Sequence, residues 1–202
     1  MSFRKEKKYR VTKFESQKLF KILSLNGMKL LHKPRVVNSI YFDNSYYDMF
    51  YNSEEGVLPR KKIRIRWYNN KINFTLEKKT SSVEGRFKSF NKCDTLKSIR
   101  HIENHNMIDN NYGYIYPSLK VSYVRTYYTF NNMRVTFDKN INYRNLRNDS
   151  SILHKDPENV IEIKVHEEFS DDIIEKFMPY STSRFSKYSR GLLLFQHQIS
   201  KN

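Results

Sequence analysis

The sequence is poor in the residues that cross-link or loosen a chain. Cysteine occurs once among 202 residues, as Cys93, which rules out an internal disulfide or a cysteine metal cluster and suits a reducing compartment. Glycine and proline number five each, so we find no obvious linker between domains. We therefore predict that residues 1–202 form a single domain, a length that one hydrophobic core can support.

Long apolar runs are also lacking. No stretch reaches the roughly 18 apolar residues that a membrane helix needs, and the first residues do not have the apolar core of a signal peptide. The most apolar run, residues 192–195, is typical of a buried helix face. We expect a soluble, cytoplasmic protein, with any membrane association made through a partner protein.

Acidic residues are too few to balance the basic ones. Lys and Arg number 37 against 21 Asp and Glu, a formal net charge of +16. Such an excess indicates a polyanionic partner, which could be nucleic acid, anionic lipid or a phosphorylated small molecule. The sign of the charge does not choose among these three classes.

Strand patterns outnumber helical ones along the chain. Val, Ile, Tyr and Phe alternate with polar residues in about eight segments, near residues 3–13, 35–43, 60–69, 72–80, 83–90, 118–130, 133–142 and 159–167. Helical periodicity occurs near 15–26, 94–103, 170–178 and 186–198. Short links at 69–71 and 131–132 predict antiparallel hairpins. We predict an α+β fold, an eight-stranded, mainly antiparallel closed β-barrel with helices packed outside.

The polar face of most strands consists of long cations with an occasional carboxylate. In residues 62–67 the apolar side chains Ile63, Ile65 and Trp67 alternate with Lys62, Arg64 and Arg66. A single face of this kind is usually a solvated surface. Its repetition in most strands, with little Ser, Asn or Gln, favours the inverse arrangement, in which helices cover the apolar face and the charged face lines a lumen.

A lumen of this kind is viable only when it is hydrated or filled by a strong polyanion. Crowded cations repel one another and are costly to desolvate, whereas Arg and Lys bind phosphate oxygens through forked and single N–H donors. The carboxylates on the same faces are ion-pair partners or ligands of a hard cation; they are Glu6, Glu77, Asp138 and Glu162. The pattern leaves both roles open, although we favour the metal role for Glu162.

Seven motifs in chain order resemble those of the VTC domain, the polyphosphate polymerase branch of the triphosphate tunnel metalloenzymes, which are CYTH-like. They lie at 39–43 (SIYFD), 60–68 (RKKIRIRWY), 76–79 (LEKK), 123–125 (YVR), 134–138 (RVTFD), 162–164 (EIK) and 184–188 (RFSKY). The resemblance implies an eight-stranded tunnel that binds ATP or inorganic polyphosphate together with Mn²⁺ or Mg²⁺. It further implies that the terminal phosphate of ATP extends the polyphosphate chain.

Matched position by position, the resemblance implies roles for individual side chains. The groups that would grip phosphate oxygens are Lys8, Arg64, Arg66, Lys79, Lys88, Tyr123, Arg125 and Arg134. Of these, Lys8, Arg64 and Arg66 are candidate catalytic residues. Ser186 and Lys187 would close on the chain at the start of the last helix, with Lys187 in the catalytic set and Ser186 in the phosphate-binding set.

The remaining candidates concern the metal and the strand that carries it. Glu162 would hold the metal, Glu6 and Glu77 are further candidate ligands, and Lys164 joins the phosphate-binding set because it shares a strand face with Glu162. The wider superfamily has Glu-x-Glu-x-Lys on the first strand, where this chain has Arg4 ahead of Glu6 and Lys8. The loss of the first Glu favours the polymerase branch over hydrolases with paired carboxylates.

Two alternative functions stay open at this point. A metal-dependent tripolyphosphatase or nucleoside triphosphatase on the same fold would use water as the acceptor. A non-catalytic polyphosphate or nucleic-acid binding module would place aromatic rings such as Tyr123 and Trp67 on an open basic face. We expect no specific nucleic-acid partner, and we expect coupling to transport to need a separate membrane protein.

Overall fold

The computed structural model describes residues 4–147 and 152–199. The strands within these ranges are β1 (Arg4–Val11), β2 (Lys29–Asp43), β3 (Arg60–Tyr68), β4 (Thr75–Ser82), β5 (Gly85–Lys92), β6 (Met107–Asp109), β7 (Gly113–Phe130), β8 (Met133–Asn145), β9 (Leu153–Lys155) and β10 (Asn159–His166). The helices are α1 (Lys13–Leu25), α2 (Asp48–Glu55), α3 (Ile99–Glu103), α4 (Asp171–Phe177) and α5 (Lys187–Ile199).

Eight of the strands form one hydrogen-bonded path in the order β1-β10-β8-β7-β2-β3-β4-β5, while β6 pairs with β7 and β9 with β8. The pairings of β1 with β10, β10 with β8, β2 with β3, β3 with β4 and β4 with β5 are antiparallel. The predicted α+β class, an eight-stranded and mainly antiparallel sheet accompanied by helices, is confirmed.

The turn between β7 and β8 follows from its two asparagines. Asn131 and Asn132 both have positive φ, 46° and 60°, as a two-residue type I′ hairpin requires, and asparagine tolerates that region better than most residues. The link between β3 and β4 also begins with a positive-φ residue, Asn69 at 51°. That link extends to residue 74 because β4 begins at Thr75, so the predicted three-residue hairpin at 69–71 is too short.

Helix α1 begins at a capping box. The Thr12 hydroxyl accepts from the Glu15 backbone N–H at 3.1 Å, and the Thr12 N–H donates to the Glu15 carboxylate at 2.7 Å. This reciprocal pair satisfies two N–H groups that would otherwise lack partners. The helix ends at Asn26-Gly27, as predicted, where Gly27 adopts a φ of +94° that favours glycine.

Other elements differ from the predicted ranges. Ser170 caps α4 as predicted, accepting from the Asp172 N–H at 3.3 Å. Helix α2 was not predicted, and it begins where the Asp43 carboxylate accepts from the backbone N–H groups of Met49 and Phe50, each at 3.0 Å. Strand β2 begins six residues before the predicted position, in the exposed stretch from Lys29, where adjacent Leu30 and Leu31 break the strand alternation.

The chain falls into two compact units. Unit 1 comprises Met1–Val36, Tyr123–Ile141 and Lys155–Phe185; unit 2 comprises Val37–Ser122, Asn142–His154 and Ser186–Asn202. The long strands β2, β7 and β8 contribute residues to both units. The single-domain assignment of residues 1–202 stays a prediction.

In unit 1, helices cover the apolar side of the strands. Tyr9 of β1, Phe137 of β8 and Ile163 of β10 pack in one buried cluster with Leu19 of α1 and Ile174 of α4. The strand residues between these apolar positions carry the charges. The apolar face of this unit is therefore the helix-covered one, as the inverse arrangement predicted.

Unit 2 has a core of the same design. Ile63 and Ile65 of β3 are buried with Met49 of α2 and Ile102 of α3. Helix α5 requires glycine at position 191, because a Cβ there would lie 2.5 Å from a Leu119 methyl carbon and 2.6 Å from the Tyr143 ring. Of the helices in the described ranges, none is long and apolar enough to cross a bilayer, and association with a membrane protein stays a prediction.

Candidate phosphate-binding site

Strand register places charges of opposite sign side by side in unit 1. Glu6 lies opposite Lys164 and Lys8 lies opposite Glu162 where β1 pairs with β10. Arg134 of β8 lies opposite Lys164 on the other side of β10. Directly opposite side chains on one sheet face interact, so these three strands carry a single charged surface, which we call the unit 1 charged face.

The ammonium group of Lys164 lies between two carboxylates. Its Nζ is 2.9 Å from Glu162 Oε1 and 3.1 Å from Glu6 Oε2. Glu6 Oε1 is 3.0 Å from Lys8 Nζ, and Lys8 also donates to the Phe185 carbonyl at 3.1 Å. Glu6 and Glu162 are thus linked through one shared cation.

Arg125 of β7 extends this network to a third carboxylate. Its Nε and Nη2 donate to the two Asp138 oxygens at 2.6 and 2.7 Å, a bidentate fork. Its Nη2 also lies 3.7 Å from Glu162 Oε2, and its guanidinium stacks on the Tyr123 ring. Asp138 is 0% exposed and Glu162 is 6% exposed, so this face is not an ordinary solvated surface.

The surrounding cations keep these carboxylates ionised. Burial alone would raise the pKa of Glu162, but Arg125, Lys164 and Lys8 outweigh burial and hold it well below its ordinary value of 4.5. Burial and the charge of Glu162 would raise the pKa of Glu6, yet Lys8 and Lys164 lower it overall. Both groups are therefore oxygen donors at neutral pH.

Unit 2 carries a second charged surface, on β3 and its neighbours, which we call the unit 2 charged face. Arg64 donates to Glu77 Oε2 through Nε at 2.8 Å and to the Tyr41 hydroxyl through Nη1 at 2.8 Å. Arg66 Nη1 lies 3.3 Å from Glu77 Oε1. One carboxylate, 6% exposed, thus holds two guanidinium groups, and these override the effect of burial and lower the pKa of Glu77.

A row of three lysines crosses the same unit. Lys62 of β3 lies opposite Lys79 of β4, which lies opposite Lys88 of β5. Like charges in directly opposed positions destabilise a sheet, and a bound polyanion would relieve that repulsion. The sequence-based site omitted Lys62, although its alternation with Arg64 and Arg66 placed it on the same face.

The start of α5 lies beside this row. Lys62 Nζ donates to the Ser186 hydroxyl at 2.9 Å, and the Ser186 carbonyl accepts from the Arg190 N–H at 2.9 Å. The next residue, Lys187, is close enough for its charge to lower the pKa of Tyr41. Ser186 and Lys187 are therefore placed with the cations of unit 2.

Tyr41 contacts the cations of this surface and is not only a packing residue. Burial would raise its pKa, but Arg64 and Arg66 outweigh burial and lower it. The ring stacks on Tyr188 with centroids 5.0 Å apart, and the Tyr188 hydroxyl donates to buried Asp43 at 2.6 Å. Alternation along β2 was the signal that could have indicated this role, because Tyr41 lies between the apolar Ile40 and Phe42 and therefore faces the other side of the strand.

A divalent cation fits the paired carboxylates of unit 1. Mg²⁺ and Mn²⁺ prefer oxygen donors, and Mg²⁺ is often held by one or two carboxylates together with substrate phosphates. Glu6 and Glu162 supply two ionised carboxylates that already share a cation. In the described part of the chain, no group of three or more His, Cys, Asp or Glu residues could hold a metal without a substrate.

The predicted site residues thus fall into two sets. Unit 1 brings together Lys8, Tyr123, Arg125, Arg134, Lys164, Glu6 and Glu162. Unit 2 brings together Arg64, Arg66, Glu77, Lys79, Lys88, Ser186 and Lys187. The contacts of Glu77 with two guanidinium groups favour the ion-pair role over the metal role for this residue.

Two aromatic rings do not form a base-stacking platform. Tyr123 is buried beneath the Arg125 guanidinium, and Trp67 is buried on the apolar face, edge-on to Phe74. Stacking of nucleic-acid bases needs an accessible ring face. The hypothesis of an open nucleic-acid binding face loses the two residues that supported it.

Comparison with protein families gives one match. The model of the VTC domain matches residues 3–196, which is nearly the whole chain and covers all of the candidate site residues. No curated protein matches the sequence. The match agrees with the motifs on which the predicted resemblance rested.

Solved structures share the fold at low sequence identity. A candidate adenylate cyclase from Bacillus halodurans is 14% identical, with 92% of this chain and 94% of that chain covered and a TM-score of 0.59. HpAC1 from Hippeastrum, a candidate adenylyl cyclase with a dominant triphosphatase activity, is 17% identical, with 93% and 94% covered and a TM-score of 0.58. A protein from Pyrococcus furiosus is 12% identical, with 92% and 99% covered and a TM-score of 0.56. The predicted triphosphate tunnel fold is confirmed.

Proposed function

Since this chain belongs to the VTC domain family, we propose that it is an ATP-dependent polyphosphate polymerase. In this proposal it transfers the terminal phosphate of ATP to a growing chain of inorganic polyphosphate and uses a divalent metal. The family is one of triphosphate-tunnel enzymes, and the choice of transfer over hydrolysis is the part that we propose.

The unit 2 charged face is the observation that carries the proposal. Arg64 and Arg66 share the single carboxylate of Glu77, so positive charge exceeds negative charge at this point. The lysine row of Lys62, Lys79 and Lys88 adds to the excess. Such a surface matches a linear chain of phosphates, since each phosphate unit brings charge and acceptor oxygens.

Phosphoryl transfer asks little covalent chemistry of the protein. The attacking oxygen is the terminal phosphate oxygen of the polyphosphate chain, the bond that breaks joins the γ-phosphorus of ATP to its bridging oxygen, and ADP leaves. The protein must align these groups and neutralise charge on the oxygens. We assign that work to Arg64, Arg66, Lys8 and Lys187, assisted by Lys79, Lys88, Arg125, Arg134, Lys164, Tyr123 and Ser186.

The metal role falls to unit 1. Glu162, with Glu6 as its neighbour through Lys164, would hold Mn²⁺ or Mg²⁺, which when bound neutralises charge on phosphate oxygens. Lys164 donates to both carboxylates in the free protein, and it would donate to phosphate oxygens in the complex. Lys8 and Arg125 keep the two glutamates ionised for this purpose.

The test is incubation of the purified protein with ATP and Mn²⁺, followed by a gel that resolves phosphate polymers. We expect a ladder or smear of polyphosphate that disappears when an exopolyphosphatase is added. Release of free phosphate with no polymer would reject polymerase activity and support the hydrolase. An Arg64→Ala, Arg66→Ala double variant serves as the control for contaminating activity.

Hydrolysis of tripolyphosphate or a nucleoside triphosphate is the second candidate function. The similarity in fold to HpAC1, whose dominant activity is that of a triphosphatase, is the observation that favours it. Against it, the first strand carries Arg4 where the hydrolases place the first glutamate of a pair. The gel separates the two candidates because only the polymerase makes phosphate polymer from ATP.

A further inference from the structure

Two neighbouring residues on the unit 2 charged face each hold a buried donor without a hydrogen-bond partner in the described part of the chain. They are Ser39, through Oγ, and Arg66, through Nε. Ser39 of β2 lies directly opposite Arg66 of β3. A buried donor that lacks an acceptor is costly and rare in a native structure, so a pair of them in adjacent positions requires an explanation.

The side of the sheet on which Ser39 lies is fixed by strand alternation. Ile40 and Phe42, which alternate with Ser39 and Tyr41 along β2, belong to the apolar core of unit 2. Ser39 and Tyr41 therefore lie on the opposite side, where Tyr41 accepts from Arg64. Ser39 is 1% exposed and lies directly opposite Arg66.

The contacts of Arg66 explain which of its donors is left over. Its Nη1 is directed to Glu77 at 3.3 Å, which orients the guanidinium plane. The Nε–H is left without a partner, and the residue that carries it lies directly opposite Ser39 in the strand register. An O–H and an N–H that lack acceptors on opposed residues of one sheet face can together serve one oxyanion oxygen.

We propose that Ser39 is a phosphate ligand, and that its hydroxyl and Arg66 Nε–H together bind one phosphate oxygen of the substrate. The proposal rests on the proposed function only in that the substrate is a chain of phosphates. Neither the composition nor the motif resemblance assigned a role to Ser39. The site favours an acceptor oxygen, because a donor group of a ligand could pair with the Ser39 hydroxyl but would leave the Arg66 Nε–H unpaired.

The proposal predicts an unusual combination of effects for Ser39→Ala. Removal of a hydroxyl that has no partner in the free protein should leave the melting temperature unchanged or raise it by a few degrees. The same change should weaken tripolyphosphate binding about tenfold, the value of one hydrogen bond to a charged acceptor. A residue with only a structural role would not improve stability and reduce affinity together.

Ser16→Ala is a matched control. Ser16 is a buried serine of α1 in unit 1, 0% exposed, and its Oγ likewise has no hydrogen-bond partner in the described residues. Its removal should change the melting temperature in the same direction as Ser39→Ala. Tripolyphosphate affinity should stay at the wild-type value, because Ser16 lies on a helix and not on the charged face.

The experiment combines isothermal titration calorimetry with tripolyphosphate and thermal unfolding of the wild-type protein and the two variants. Wild-type affinity in Ser39→Ala overturns the proposal. A lower melting temperature in Ser39→Ala also overturns it, since this would show that a buried water already satisfies the hydroxyl. If that variant does not fold, Ser39→Cys, which keeps the size and replaces the O–H by a weak S–H donor, is expected to show the same loss of affinity.

The outcome for the wild-type protein separates this inference from the proposed function. If wild type fails to bind tripolyphosphate, the proposed function is wrong. If wild type and Ser16→Ala bind it and Ser39→Ala binds it equally well, the function stands and the role of Ser39 is rejected.

Discussion

The two charged faces differ in the balance of their charges. On the unit 1 charged face, Glu6, Glu162 and Asp138 are interleaved with Lys8, Lys164 and Arg125, and each carboxylate contacts a cation. On the unit 2 charged face, Glu77 stands among Arg64, Arg66 and a row of three lysines. With Arg134 included, the first face has four cations against three carboxylates, whereas the named residues of the second face are five cations against one carboxylate.

The difference assigns different chemistry to the two units. Ionised carboxylates with close cations can exchange one cation for another, as a metal site requires. A surface with more cations than carboxylates gains most from a bound anion. We therefore propose that the metal binds in unit 1 and that the main phosphate contacts lie in unit 2.

The largest effect is expected for Glu162→Gln. Loss of the carboxylate should lower metal-dependent turnover at least about a hundredfold, because a bound metal contributes several kcal/mol of transition-state stabilisation. Tripolyphosphate binding should be largely spared, since the change removes negative charge. Turnover of ATP and tripolyphosphate calorimetry measure the two effects, and full activity in the variant would reject the metal role.

Glu77→Gln sharpens the comparison. Mn²⁺ binding in the presence of tripolyphosphate is measured from the EPR signal of the free ion. It should persist in Glu77→Gln and be lost in Glu162→Gln. The opposite result would move the metal to unit 2.

The next largest effect is expected for Arg64→Ala and Arg66→Ala. Each should weaken tripolyphosphate binding roughly tenfold to a hundredfold, because charged hydrogen bonds contribute about 1.5–3 kcal/mol. Titration calorimetry measures the affinity, and circular dichroism checks that the fold is intact. Lys78→Ala is the control, as Lys78 lies on the neighbouring strand with its ammonium group 3.9 Å from the Asp109 carboxylate.

Unchanged affinity in either arginine variant would count heavily against the unit 2 charged face. A loss as large in Lys78→Ala would show that net charge, and not the position of the charge, governs binding.

A smaller effect concerns the acid stability of the unit 1 charged face. The folded-state pKa of Glu162 lies below its ordinary value of 4.5. Its stabilising contribution is therefore complete above about pH 4.5 and is lost as the pH falls through the folded-state pKa. The difference in melting temperature between wild type and Glu162→Gln should shrink as the pH is lowered below 4.5, and a constant difference would contradict the ion pairs as its cause.

The smallest effect is expected for Tyr188→Phe. This change removes the 2.6 Å bond to Asp43 but leaves the three backbone N–H groups that Asp43 also accepts from. The free energy of unfolding should fall by about 1 kcal/mol, as measured by urea denaturation. Tyr46→Phe is the control, because Tyr46 is 79% exposed. Equal losses of unfolding free energy in the two variants would mean that the buried hydrogen bond does not stabilise the protein more than an exposed hydroxyl does.

The sequence predicted the fold where alternation is strong and failed where it is weak. Strands β3 and β10 agree with prediction to within a residue, because Ile and Val alternate with charges throughout them. Helix α2 was missed because it has a short apolar stretch and its start depends on Asp43, a residue of the preceding strand. The first residues of β2 are exposed, and adjacent Leu30 and Leu31 break the alternation there, so no pattern signalled them.

For the candidate site, strand faces were predictable and partners were not. Alternation placed Arg64, Arg66 and Glu162 on charged faces, which the structure shows. The contact of Lys62 with Ser186 joins residues 124 positions apart in the chain, and no local pattern contains that information. Whether Glu77 would pair with cations or hold a metal depended equally on a cross-strand register that only the structure supplies.

The most direct test of the account is a crystal structure of the protein with tripolyphosphate and Mn²⁺. We expect phosphate oxygens within hydrogen-bond distance of the Arg64 and Arg66 guanidinium groups, and Mn²⁺ coordinated by Glu162. The proposed site would be contradicted if phosphate bound on the opposite face of β3, near Lys61, and made no contact with the Arg64 and Arg66 side chains.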